Sequence, residues 1–281
     1  MNDLTGNNGF TEQDFLEYIE MFNHNDFDGF AEYYADNIIF EGRSRHFRNR
    51  VEVVSFYRKL KSLIRETVTV KEMLIGKNEI AVEIETELYA FEDWLDMPTG
   101  PMHKGEIIRS RNFVWYEIQN RKFVHIRSAH YRRIGSSEGS SGPHLHTMRL
   151  QAVSGERFTG HVGVFDLNNC AFLGGCLHED VALGIGGKRG LKGREAVLNF
   201  CEIVKMQTQG TVEIKRIIDS GNLLAAELLF KLVALNNLPD FITGPMKKNG
   251  RIFINVFALC HLHNGRFTRI RFAKFSKTEC P

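Results

Sequence analysis

The tetrapeptide Thr99-Gly100-Pro101-Met102 recurs unchanged as Thr243-Gly244-Pro245-Met246, at an offset of 144 residues (99 to 243). The same offset pairs residues 25–129 with residues 169–273 without a gap. Identical residues at this offset include the pairs Asp36/Asp180, Phe56/Phe200, Phe123/Phe267 and Arg127/Arg271. One register kept over about a hundred residues indicates duplication. The chain therefore contains two copies of one structural unit.

The segment between the copies differs from both in composition. It contains the run GSSEGSSGP at residues 135–143, in which glycine and serine predominate. Such a run buries little apolar surface and is typical of a flexible linker. We therefore predict a first domain at residues 1–134, a linker at 135–154 and a second domain at 155–281.

Within the first copy, helical patterns come before extended ones. A first helix is predicted after the capping residue Thr11, with apolar residues at helical spacing: Phe15, Tyr18, Ile19 and Phe22. A short helix from Asp26, a strand at 38–40 and a helix at 51–63 follow.

Four extended segments then complete the copy, at residues 68–75, 80–91, 106–118 and 122–134. Asn120-Arg121 and, in the second copy, Asn264-Gly265 are predicted hairpin turns. Helices followed by a meander of long strands predict an α+β class, in which a curved antiparallel sheet is covered on one face by the N-terminal helices. A pocket is expected between the two layers.

Composition excludes several classes of protein. Lys and Arg number 36 against 34 Asp and Glu, and they are mixed along the chain, so no nucleic-acid partner is expected. The five cysteines form no CxxC pair, which argues against a zinc site or a disulfide framework. No apolar run approaches the roughly 20 residues of a membrane span, and residues 1–10 are polar. We expect a cytoplasmic protein with no metal, cofactor or membrane partner.

Three segments of the first copy resemble SnoaL-like and ketosteroid isomerase-like proteins of the nuclear transport factor 2-like superfamily. They are residues 18–30, 34–41 and 49–57, and residues 122–127 resemble the end of the same domain. The resemblance covers most of residues 12–134 and, more weakly, 155–278. It implies a cone-shaped domain with a cavity. Because such domains commonly dimerise through their open sheet faces, it also implies an intramolecular pseudo-dimer. A further homodimer of the whole chain is left open.

The resemblance also suggests roles for individual residues. In ketosteroid isomerases a tyrosine on the first helix donates to an enolate, an aspartate after the first strand moves the proton, and a protonated acid completes the oxyanion hole. Tyr18 matches the tyrosine. Gly42 occupies the aspartate position, with Glu41 beside it, and Arg111 occupies the second acid position. Steroid isomerisation by that mechanism is therefore in doubt, whereas the cavity is expected.

Matching the strands to this family, with side chains alternating across the sheet, predicts which side chains face the cavity. Glu83, Glu85 and Glu87 alternate along one strand and are expected on its outer face. The residues expected to line it and bind substrate are Phe40, Arg109, Phe113, Trp115, Glu117 and Ser128, with Ile126 also facing inward. The expected catalytic residues are Tyr18, Glu41, Arg111 and His130. Tyr18 and Arg111 would stabilise an oxyanion, and His130 or Glu41 would move a proton. For each of the four, a structural role is the alternative: core packing for Tyr18, an outward side chain for Glu41, an internal ion pair for Arg111 and a satisfied strand-end histidine for His130.

The second copy is chemically poorer. The offset replaces Tyr18 by Val162, Glu41 by Ile185 and Arg111 by Asn255, and it replaces Ser128 and His130 by Phe272 and Lys274. The second domain is therefore predicted to be degenerate, as a fused partner of an active first domain.

These features favour a cofactor-independent isomerase or cyclase, or a dehydratase, of natural-product biosynthesis. The substrate would be an apolar polyketide, terpenoid or alkaloid bound in the first domain. A pericyclase whose pocket holds one reactive conformer is an alternative, and so is a non-catalytic ligand-binding or protein-adaptor module. An enzyme should keep an open pocket with convergent polar groups, whereas an adaptor could fill it.

Overall fold

A computed structural model describes residues 9–42, 45–97, 100–134, 170–187 and 189–280. The chain divides into two compact units, residues 1–151 and 152–281. Residues 135–169 lie outside the described residues. They include the whole predicted linker (135–154) and the first part of the predicted second domain. Each unit is described by itself below.

The helices of the first unit begin at side-chain caps. Helix α1 spans Glu12–Asn23, and its Thr11 cap forms the predicted capping box with Asp14. Helix α2 spans Phe27–Ala31 after Asp26, and helix α3 spans Arg50–Leu63 after Asn49. The predicted apolar residues of α1 are buried: Phe15, Tyr18, Ile19 and Phe22. This stripe attaches the helix to the sheet.

The sheet of the first unit has six strands: β1 (Tyr34–Gly42), β2 (Arg45–Phe47), β3 (Ile64–Ile75), β4 (Glu79–Ala90), β5 (Ile107–Gln119) and β6 (Lys122–Ile134). Their order is β2-β1-β6-β5-β4-β3. Strands β3 to β6 form the predicted antiparallel meander. Strand β1 joins β6 in parallel, so the sheet is mixed rather than wholly antiparallel. The main core lies between the helices and one face of this sheet.

The second unit repeats this architecture. It contains helix α4 (Cys170–Cys176), strands β7 (Leu177–Ile185) and β8 (Arg189–Lys192), and helix α5 (Arg194–Gln207). Strands β9 (Thr208–Asp219), β10 (Leu223–Ala234), β11 (Arg251–His263) and β12 (Arg266–Cys280) follow. The sheet order, β8-β7-β12-β11-β10-β9, is that of the first unit. The described parts of the two halves are therefore one α+β fold, as the repeat predicts.

The repeated tetrapeptide lies in a turn after β4 and β10. Gly100 and Gly244 both have left-handed backbones, with φ values of 111° and 113°. Isolated bridges flank the two turns at corresponding positions, Trp94 with Met102 and Leu238 with Met246. Only glycine adopts such a φ without strain, which explains why the motif is the same in both copies.

Candidate active site

The first unit encloses a cavity of about 270 Å³ between its helices and the inner face of the sheet. Its walls are largely apolar and aromatic, with polar side chains from α1, α3 and five strands. The polar side chains that matter below are Tyr18, Arg45, Tyr57, Glu66, Asn112 and His130. The structure therefore provides the open pocket with convergent polar groups that is expected of an enzyme.

The register of β4 against β5 decides which side chains enter this cavity. Ile84 lies opposite Asn112, and Thr86 lies opposite Ser110. All four line the cavity. Directly opposed residues of an antiparallel pair share a face, so the inward residues of β5 are the even-numbered ones: Ile108, Ser110, Asn112, Val114 and Tyr116.

The predicted inward set of β5 is therefore wrong. The five residues lie on the other face of the sheet: Arg109, Arg111, Phe113, Trp115 and Glu117. Arg111 forms ion pairs with Glu83 at 3.3 Å and Glu85 at 3.0 Å, and Arg109 pairs with Glu87 at 2.7 Å. The three glutamates were correctly predicted to face outward. The residues of β5 that pair with these glutamates are Phe113, Arg111 and Arg109, and they must face outward as well. The prediction that they face the cavity is incompatible with this pairing.

Glu41 also lies outside the cavity. Its neighbours Phe40 and Gly42 line the pocket, so Glu41 points to the opposite face of β1. There its carboxylate accepts a hydrogen bond from His125 Nε2 at 2.9 Å. The other ring nitrogen of His125 lies 3.1 Å from Glu117. This hydrogen bond to Glu117, with a smaller contribution from Glu41, raises the pKa of His125 above its ordinary value. Glu41 therefore belongs to an outer-face cluster and cannot act as the cavity's base.

Four predicted residues do meet in the cavity: Tyr18, Phe40, Ser128 and His130. Ile126 belongs to the core beneath it. The Tyr18 hydroxyl lies 3.0 Å from the Tyr34 hydroxyl, and either can donate. Burial raises the pKa of Tyr18 well above its ordinary value, so it stays a neutral donor. The catalytic roles of Tyr18 and His130 stay predictions.

A polar chain fixes the orientation of His130. The amide nitrogen of Asn112 donates to Thr86 at 3.1 Å and to Ser110 at 3.2 Å. The amide oxygen of Asn112, which can only accept, lies 3.2 Å from His130 Nδ1. Nδ1 is therefore the protonated nitrogen, and the lone pair of the neutral ring lies on Nε2.

Glu66 is the functional candidate that the sequence analysis missed. It is the third residue of β3, it lines the cavity, and it is partly exposed to solvent. Its Oε2 atom is buried and accepts no hydrogen bond within the described parts of the chain. Burial raises the pKa of this carboxyl above its ordinary value, while Lys61 and Arg45 oppose the shift. A signal was present in the sequence, because Glu66 interrupts the inward apolar positions 64, 68 and 70 of one strand.

Two further groups surround Glu66. Tyr57 on α3 lines the cavity, and burial followed by the charge of Glu66 raises the pKa of its hydroxyl. Arg45 on β2 lines the cavity with its guanidinium 4.3 Å from the ring centre of Phe56. The charge of Arg45 lowers the pKa of both Glu66 and Tyr57, although burial outweighs it. Arg45 and Arg133 are thus the arginines that line this cavity, and Arg111, which was expected there, is not one of them.

The second unit encloses a smaller cavity of about 150 Å³. Four corresponding positions line both cavities and change from polar to apolar: Thr86 to Phe230, Ser110 to Ile254, Asn112 to Val256 and Ser128 to Phe272. The position of Glu66 is taken by Gly210. A Cβ there would lie 2.2 Å from the Lys231 carbonyl oxygen, so no side chain fits. The described lining of the second cavity thus contains none of these acid-base groups.

The described residues contain no cluster of three or more side chains placed to hold a metal ion. None of their helices combines the length and the apolar character needed to cross a membrane.

Comparison with known proteins identifies the class. Residues 15–126 match the model of the SnoaL-like domain family. These residues of the first unit are therefore a SnoaL-like domain, and the described part of the second unit repeats its strand order. No curated protein sequence matches the chain closely enough to count as a relative.

Solved structures similar to the chain include the following three. A SnoaL-like polyketide cyclase from Agrobacterium tumefaciens is 18% identical, with 46% of this chain and 92% of that chain covered and a TM-score of 0.35. An LEH-like epoxide hydrolase from M. tuberculosis is 15% identical, with 41% and 77% covered and a TM-score of 0.34. An NTF2-like protein of unknown function from Cytophaga hutchinsonii is 14% identical, with 46% and 94% covered and a TM-score of 0.33.

Proposed function

We propose that the first unit is a cofactor-independent proton-transfer enzyme, an isomerase or cyclase, or a dehydratase, acting on an apolar carbonyl compound. Polyketides, terpenoids and alkaloids are natural products of this kind. The observation that carries the proposal is a single carboxyl group, Glu66, whose pKa is raised by burial in an aromatic cavity. A carboxyl group of raised pKa exchanges protons near neutral pH more effectively than an ordinary glutamate.

The chemistry follows from the groups around Glu66. The ionised Glu66 removes a proton from the carbon next to the substrate carbonyl, and the electron pair moves onto the carbonyl oxygen as an enolate. The hydroxyl of Tyr57 donates to this oxygen, and the charge of Arg45 favours its negative charge. Return of the proton to a different carbon completes an isomerisation. Attack of the enolate carbon on a second carbonyl group gives an alkoxide, which takes the proton back from Glu66 and completes a cyclisation. Loss of a β-hydroxyl group, which takes the same proton and leaves as water, completes a dehydration.

The open cavity favours this reading over an adaptor. An adaptor does not need an internal cavity. The cavity of the first unit contains a carboxyl group, phenol hydroxyls and an oriented histidine. A shaping pocket for a pericyclic reaction would work without an ionisable group. The buried Glu66, which is costly to hold without a hydrogen-bond partner on Oε2, supports proton transfer instead.

The test uses a small enolisable ketone, 2-tetralone, in deuterated buffer. We expect the protein to accelerate deuterium uptake at the carbons next to the carbonyl group, measured by proton NMR. Glu66→Gln should lower that rate about 10²- to 10⁴-fold, the usual contribution of a positioned acid or base. Glu20→Gln, an exposed change on α1, is the matched control. Exchange no faster than in buffer, or equal in Glu66→Gln and wild type, would contradict the proposal.

A further inference from the structure

We propose that the cavity of the second unit is a ligand site of its own, for a neutral ring-sized molecule that carries a single oxygen acceptor. A monocyclic ketone has this chemistry. The inference does not depend on the proposed activity of the first unit. It is drawn from the size of the cavity, its lining and one hydroxyl group.

Size and lining set the class of ligand. The cavity of about 150 Å³ is bounded by apolar side chains from α4, α5 and the sheet, and of its described lining residues only Cys201 and Thr243 bring a polar side-chain atom to it. An apolar cavity of about this volume stays dry and accepts a molecule the size of benzene. Charged molecules are disfavoured because the described lining contains no ionisable carboxyl, amino or guanidinium group to pair with them.

The duplication explains the apolar lining of this cavity. Cys201 stands at the position of Tyr57, and Phe230, Ile254, Val256 and Phe272 replace Thr86, Ser110, Asn112 and Ser128. Gly210 stands at the position of Glu66 and leaves no room for a carboxyl group. The second cavity is therefore an altered version of the first, with a uniform apolar lining.

One hydroxyl group adds specificity. Thr243 lines the cavity, and its Oγ1 atom is buried without a hydrogen-bond partner in the described ranges. A buried hydroxyl without a partner is costly. A ligand that offers one carbonyl oxygen would satisfy it. This favours a cyclic ketone over a hydrocarbon of the same shape.

The test measures dissociation constants on the full chain by ligand-observed NMR with three probes of similar shape: cyclohexanone, methylcyclohexane and cyclohexanecarboxylate. We expect cyclohexanone to bind most tightly and the carboxylate to bind at least tenfold more weakly. Equal binding of cyclohexanone and the carboxylate, or no binding of cyclohexanone, would overturn the proposal.

Matched variants assign the site. Cys201→Tyr restores the residue of the first unit and fills the cavity, so cyclohexanone should bind at least tenfold more weakly. Thr243→Val should weaken cyclohexanone two- to tenfold and leave methylcyclohexane unchanged, with exposed Thr211→Val as the control. If Cys201→Tyr fails to fold, the Thr243 pair still decides. Unchanged cyclohexanone binding in folded Cys201→Tyr, or in Thr243→Val, would overturn the assignment.

Discussion

Glu66 occupies an inward position of β3, on the same face as Ile64 and Val68, and burial raises the pKa of its carboxyl. The sequence pattern predicts a helix that ends at residue 63 and a strand that begins at residue 68. Glu66 therefore lies outside every predicted element and is not predicted to face the cavity. In the structure α3 ends at Leu63 and β3 begins at Ile64, with no loop between them. Tyr18 was predictable because a helix fixes which of its residues share a face, whereas a strand's inward face depends on where the strand begins.

A pH-dependent stability follows from this residue. Because the pKa of Glu66 is higher in the folded than in the unfolded state, the folded chain holds this proton more tightly. Stability is therefore lost as the pH rises from glutamate's ordinary value through the raised one. Glutamine has no such titration. We expect Glu66→Gln to be more stable than wild type at pH 8, with a smaller difference at pH 4, as measured by urea unfolding. A variant less stable than wild type at pH 8 would contradict the buried charge.

At the scale of the elements, strand pairing decided which predictions held. The capping box of α1, the meander of β3 to β6 and the outward glutamates of β4 were all predictable from local pattern. The inward face of β5 was not predictable from local pattern. Its side chains alternate between the two faces of the sheet, and both sets are rich in polar and aromatic residues. The outward positions 109, 111 and 113 resemble a pocket lining as closely as the inward positions 108, 110 and 112. Only the register with β4 separates them.

Arg111 and Arg45 provide the test at this scale. Arg111 pairs with Glu83, whose side chain is 3% exposed, and with Glu85 on the outer face. Arg111→Ala should therefore cost about 2 kcal/mol of stability, the usual value of a hydrogen bond to a charged group. Deuterium uptake by 2-tetralone should stay within twofold of wild type.

Arg45→Met is the contrasting variant, because it removes the positive charge from the cavity and keeps a long side chain. Its uptake rate should fall about tenfold or more. Arg58 also lies over an aromatic ring, 4.7 Å from the centre of Phe27, but pairs with exposed Asp28 away from the cavity. Arg58→Met should therefore leave the rate unchanged. Loss of exchange in Arg111→Ala with retention in Arg45→Met would reverse this assignment.

For the whole molecule, duplication was the most predictable property, since a gapless offset needs no knowledge of structure. Both sheets have the same strand order. The divergence of the two cavities was predicted only in outline, through positions 41, 111, 128 and 130. Of these, Ser128 and Phe272 line their respective cavities. The change from Glu66 to Gly210 alters the chemistry of the site more than the change from Ser128 to Phe272 does. It removes both the acid-base group and the space for a side chain.

One oxyanion site per chain is the consequence. The coloured anion 4-nitrophenolate carries its charge on a phenol oxygen, as the proposed enolate does on its own oxygen. The first cavity offers it Tyr57 and Arg45, whereas the described lining of the second contains no cationic side chain. We expect calorimetry at pH 8 to show one bound anion per chain, with unchanged affinity in Cys201→Tyr. Glu66→Gln should bind the anion about tenfold more tightly, because it removes a like charge from the wall of the same cavity.

The pH dependence of this binding identifies the site. As the pH rises through the raised pKa of Glu66, the carboxylate forms and repels the bound anion, so affinity should fall in wild type. In Glu66→Gln the affinity should stay level over the same range once the probe is fully ionised. Two anions per chain, or the same pH dependence in both proteins, would place the oxyanion site elsewhere. A single site whose affinity responds to Glu66 would show that the two copies of one fold have diverged to the point where only the first accepts an oxyanion.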